Sequence, residues 1–90
     1  MTWRHGGATG AIFDGADLHR ADLRWTIFNA ATFVGADLRY ARLNGADLSR
    51  ADLTGANLRH ARGLPSVTWS DTTCPDGTNS DANGGTCVGH

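Results

Sequence analysis

Lysine and glutamate are absent from the chain: its 8 cationic side chains are all arginine, its 9 anionic ones all aspartate, and the formal charge is −1. So even a balance excludes both the basic footprint of a non-specific nucleic-acid binder and a strongly acidic one. No apolar run approaches the roughly 18 residues that a membrane-spanning helix needs. The opening MTWRHGG also lacks a signal-peptide apolar stretch, so a soluble chain is expected, cytosolic or already without its leader. Large side chains are scarce as well. Aromatics make up 8%, and the 40% hydrophobic content leans on alanine beside 12 glycines. That supply excludes a conventional layered core. At 90 residues there is room for one small domain.

What is present is a repeat of five. From Ala11 the chain reads AIFDG, ADLHR, ADLRW, TIFNA, ATFVG, ADLRY, ARLNG, ADLSR, ADLTG, ANLRH. The first position is alanine throughout except for Thr26. The third is always Leu or Phe: Phe13, Leu18, Leu23, Phe28, Phe33, Leu38, Leu43, Leu48, Leu53 and Leu58. A period of five matches neither the 3.6 of a helix nor the 2.0 of a strand. A coil that turns a corner every five residues keeps the third position inside.

These A-(D/N)-L-x-x tandems resemble the pentapeptide-repeat proteins. The resemblance implies an all-β fold, a right-handed quadrilateral β-helix with four pentads per coil. Residues twenty apart then stack, at a rise of about 4.8 Å per coil, which gives two and a half to three coils. Phe13, Phe33 and Leu53 form one internal column, Leu18, Leu38 and Leu58 a second, Leu23 and Leu43 a third, Phe28 and Leu48 a fourth. All four are apolar. The small first residue lets walls approach, and Gly, Asn or Asp near the corners suits turn geometry.

Three regions follow: degenerate N-terminal repeats over 1–10, the coil over 11–62, and a C-terminal cap over 63–90. A short solenoid exposes apolar surface and unpaired backbone at both ends. Trp3 is the candidate N-terminal lid and Trp69 its C-terminal counterpart. After Ala61, Gly63 stands where Leu is due and Pro65 removes a ladder donor. Cys74 and Cys87 then bracket a loop of Pro, Asp, Gly and Asn with little to bury. A disulfide is the favoured reading, since a cross-link closing such a loop contributes about 3 kcal/mol. Two other readings stay open. One is a two-cysteine metal site, for which only His90 is nearby and the CxxC spacing is missing. The other is calcium at Asn79, Asp81 and Asn83, which imitate the opening of an EF-hand loop but lack its closing Glu. Turn formation explains these residues equally well. Structural disulfides persist in oxidising surroundings, which favours an exported protein. The cytosol is the alternative, because gyrase-binding members of the family it resembles are cytosolic.

Outward positions carry any function. Stacking aligns His19, Arg39 and Arg59 in one column and Arg20, Tyr40 and His60 in the next, with Arg24, Arg42, Arg62 and Trp25 on the following face. Arginines beside aromatics suit a phosphate or acidic partner, although Asp17, Asp22 and Asp37 nearby fit a merely solvated wall. Trp25 is expected to lie over Gly45 and Pro65. No enzyme chemistry is expected. His19 and His60 stand about 10 Å apart, no nucleophile has a partner base, and no cofactor or phosphate loop is read. The leading function is a structural or interaction module that binds an unknown protein or self-associates through its coil edges. Weak anion or nucleic-acid binding through the Arg/His/Tyr face is the alternative. A DNA-mimic topoisomerase inhibitor, which the resemblance also suggests, conflicts with the near-balanced charge.

Overall fold

A computed structural model describes residues 7–90; Trp3, the expected N-terminal lid, lies outside the described residues. The backbone winds with a period of twenty residues. Parallel bridges join Gly7, Ile27 and Asp47 in one ladder column, Ile12, Thr32 and Asp52 in the next, then Asp17, Asp37 and Asn57, then Asp22, Arg42 and Arg62. Each wall contributes a single ladder residue per coil, the second of its pentad.

The hydrogen bonds explain why the pentad takes this path. In the Ala36–Tyr40 pentad, Asp37 N–H donates to Ala16 O, Leu38 N–H to Asn57 O and Tyr40 N–H to Arg59 O, while Ala41 N–H closes the corner on Leu38 O at 3.1 Å. Only the fourth N–H is left over. The aspartate two residues earlier takes it: Asp37 Oδ1 accepts from Arg39 N–H at 3.1 Å. Asp47 does the same for Ser49, Asp52 for Thr54 and Asn57 for Arg59. The Asp or Asn of the repeat is therefore an Asx turn that completes the backbone pairing.

The fifth residue of each pentad is left-handed whatever its side chain. Arg20, Trp25, Ala30, Tyr40, Arg50 and His60 have φ between 59° and 62°, matching Gly15 and Gly35 at 67°. A positive φ only at the third of four turn residues is the type II signature. A side chain costs about 1–2 kcal/mol in this region, offset here by a corner hydrogen bond and an inter-coil one. Glycine fills the corners at Gly15, Gly35, Gly45 and Gly55 as expected, and at the others inter-coil pairing holds a side chain in the same conformation.

Inside, Leu18, Leu23, Phe28, Phe33, Leu38, Leu43, Leu48 and Leu53 are buried, and the first-position alanines from Ala21 to Ala56 are buried beside them. Phe13 and Leu58, at the two ends, are only partly covered. Phe33 meets Phe13 in a stacked pair at 5.1 Å and Phe28 edge-on at 5.1 Å.

The coil reaches beyond the 11–62 bounds read from the sequence. It already pairs at Gly7, and at the other end Asp47 bridges Thr68 and Asp52 bridges Thr73. These last steps span twenty-one residues. The extra residue enters at Gly63, whose φ of 80° opens the 3-10 turn Leu64–Ser66. A Cβ on Gly63 would sit 2.6 Å from the Asn44 backbone, so a close approach as well as the φ requires glycine. Leu64 takes the inward place that Gly63 vacates. The insertion also removes Pro65 from beneath Trp25; Gly45 N–H instead meets the Ser66 hydroxyl at 3.0 Å.

Trp69 and Cys74 complete two internal columns. Trp69 follows Leu48, is 9% exposed and donates its indole N–H to Leu64 O at 3.2 Å. Cys74 follows Leu53 and is fully buried. The chain then turns back, with Thr73 and Asn79 in an antiparallel bridge, and Cys74 is joined to Cys87 by a disulfide with a Cα–Cα distance of 5.2 Å.

Candidate interaction surface

The corner between the Asp17–Asp37–Asn57 wall and the Asp22–Arg42–Arg62 wall gathers most of the arginines. Its spine is Arg20, Tyr40 and His60, one above another at fifth positions. The His60 ring stacks on Tyr40 at 5.0 Å, and the Arg20 guanidinium lies over the same ring at 5.7 Å from its centroid. Both faces of the phenol are covered. Tyr40 is nevertheless 46% exposed. A cleft of about 350 Å³ lined by Arg20, Asp22, Tyr40, Arg42 and Arg62 opens on one side of this spine. A second, of about 280 Å³, opens on the other, lined by Arg39, Tyr40, Asn57, Arg59 and His60.

The charges divide into two sets. Arg24 is held bidentate by Asp22, both contacts at 2.8 Å, and Arg39 by Asp37 at 2.9 and 2.7 Å. His19 Nδ1 lies 2.5 Å from Asp17. These pairs follow from the Asx turn, which brings a fourth-position cation beside the second-position aspartate. Where the second residue is not aspartate, the partner is missing. Asn57 serves Arg59 only through the backbone, and Arg42 and Arg62 themselves occupy second positions. Among the described residues, Arg20, Arg42, Arg59 and Arg62 make no ion pair.

Hydrogen bonds from the Arg39 guanidinium, then from its backbone N–H, hold the Asp37 carboxyl down at about 2. The His19 ring and backbone N–H lower Asp17 in the same way. A carboxylate whose pKa is depressed on folding adds stability that is fully present above its unfolded value, 3.8, and is lost as pH falls through about 2. Asp37→Asn keeps the Asx acceptor and removes the charge. Its urea midpoint is expected to fall less steeply than the wild type's on acidification through that window. Parallel curves would contradict this.

Trp25 is 54% exposed and lies flat over Gly45, where a Cβ would fall 2.0 Å from the indole Cε3. Asp17, His19 and Asp37 bring three potential ligand atoms within 4.8 Å, yet Arg39 already neutralises Asp37 there. In the C-terminal loop, Asn79 accepts from Asp81 N–H and donates to Asp71, Asp81 accepts from Asp71 N–H, and Asn83 donates to Thr78. Those three side chains thus brace the 3-10 turn Ser80–Asn83. Arg42 and Arg62, on the face beside the aromatic column, carry a plain sequence signal: Arg in place of Asp at one position, twenty residues apart.

The sequence profile of pentapeptide repeats matches residues 8–29 and 31–62, in eight copies. The chain belongs to the pentapeptide-repeat family. Solved pentapeptide-repeat structures match it over most of its length. One is a pentapeptide-repeat protein of the Arabidopsis thaliana thylakoid lumen, with 35% identity and a TM-score of 0.55 over 78% of this chain and 51% of that one. Another is HetL, involved in heterocyst differentiation regulation in the cyanobacterium Nostoc, with 27% identity and a TM-score of 0.58 over 87% of this chain and 42% of HetL. The chain thus spans about half or less of these relatives' lengths. The shared fold makes the pentapeptide coil a right-handed β-helix. No curated protein is significantly similar in sequence. Among the described residues, no helix is long and apolar enough to cross a membrane.

Proposed function

We propose that this pentapeptide-repeat chain is a non-enzymatic interaction module, a short quadrilateral rod with a disulfide-closed cap that binds a partner protein through the Arg20–Tyr40–His60 corner. The observation that carries this reading is the grouping of four arginines without ion pairs around a stacked aromatic spine, on a chain whose net charge is −1. Arginine and tyrosine are residue types that dominate interface energetics, and a guanidinium already stacked on a ring loses little freedom on binding. Family members are generally structural or interaction modules. A DNA mimic needs a dense negative surface, and this corner has the opposite sign. The buried disulfide and the lumenal relative support an oxidising compartment.

Site-specific photo-crosslinking tests the surface. A crosslinker replacing Tyr40 is expected to give discrete heteromeric or dimeric products in the native host. The same group at Arg50, on the corner diagonally across, is expected to give none. Equal labelling from both corners would refute the assignment.

A further inference from the structure

Resting on that reading, we infer that the cleft of Arg20, Arg42 and Arg62 is a pocket for a single phosphate group presented by the partner. Arg42 and Arg62 stand on adjacent coils in one ladder column, about 4.8 Å apart along the rod. Arg20 reaches the same cleft from the neighbouring corner, and Tyr40 forms its wall. Asp22 also lines the cleft, but both its oxygens are held by Arg24. Three guanidiniums therefore face the opening with no carboxylate of their own. A phosphate monoester brings close to two negative charges and three acceptor oxygens, enough for one charge-assisted contact per arginine. A carboxylate, with one charge and two oxygens, leaves one guanidinium unmatched. An extended nucleic-acid strand is disfavoured, because the adjoining wall carries Asp17 and Asp37 and the net charge is −1.

The test uses the full chain with ¹⁵N-labelled arginine, titrated at constant ionic strength with inorganic phosphate, a phosphoserine peptide flanked by glycines, its unphosphorylated form, and acetate. The Nε–Hε signals of Arg20, Arg42 and Arg62 are expected to shift saturably with both phosphate ligands, while acetate and the unphosphorylated peptide leave them in place. Tenfold tighter binding of the phosphopeptide than of inorganic phosphate assigns the pocket to a partner-borne group; equal affinity assigns it to free phosphate. Arg42→Ala combined with Arg62→Ala is expected to weaken either ligand at least tenfold, and Arg50→Ala to have no effect. These residues are exposed, so the variants fold, which circular dichroism checks. Non-saturating shifts, an equal response at Arg50, or tighter binding of a single-stranded oligonucleotide would overturn the phosphate pocket. Crosslinking from Tyr40 alone would then still uphold the interaction surface.

Discussion

Reducing the Cys74–Cys87 disulfide is expected to lower the melting temperature by roughly 12–24 °C, the equivalent of about 3 kcal/mol in a domain of this size. The bridge closes a sequence separation of 13 residues. Within it, the described structure offers a four-residue 3-10 turn and one antiparallel bridge, with little apolar burial to hold the segment. Cys74 is moreover the last rung of the Phe13–Phe33–Leu53 column, so the link ties the cap directly to the axis of the coil. Reduction leaves both thiols in place and reports the link alone. Cys74→Ala removes the link and also empties the rung, and it is expected to cost about 1 kcal/mol more. Paired thermal melts with and without reductant decide the matter. A shift below about 3 °C would mean that the cap is held by its own contacts.

Phe33→Ala is expected to cost about 3–5 kcal/mol, a large fraction of a total stability on the order of 5–15 kcal/mol. Phe33 is buried between two other rings, with Phe13 stacked on one side and Phe28 edge-on at 5.1 Å. The coil supplies one large side chain per five residues, so no neighbour can collapse into the vacancy. Phe33→Leu is the informative companion. Leucine fills most third positions of this same chain, and the loss should be limited to the ring contacts, about 0.5–1.5 kcal/mol. A double-mutant cycle of Phe28→Leu with Phe33→Leu in urea isolates that coupling. If Phe33→Ala cost less than about 1.5 kcal/mol, the phenylalanine cluster would not be the centre of the core.

The period of five was enough to identify the inward side chains, because position three is apolar in every pentad and nothing else in the pattern is. It also brought Arg20, Tyr40 and His60 together, since their spacing is the length of one coil. Three features were harder to read. The aspartates look like surface charge until the backbone ledger shows an unpaired fourth N–H for each to satisfy. Gly63 looks like the end of the coil, whereas a one-residue insertion lets Leu64, Trp69 and Cys74 resume the columns. The division of the arginines into paired and unpaired sets depends on whether an arginine stands fourth in a pentad that carries Asp second, as Arg24 and Arg39 do, a distinction that matters only once the Asx turn is known to deliver the pairing.

The left-handed corners also bear on how such a chain can change over generations. Glycine, arginine, tryptophan, alanine, tyrosine and histidine all occupy the fifth position at φ values within about a dozen degrees of one another. The side chains among them are all exposed. Apart from Gly45, which lies under the Trp25 indole, a corner is thus a row of interchangeable type at a fixed spacing along the rod. Mutation can reset the lettering on it one residue at a time, and with it the partner, while the frame that holds the letters stays as it is.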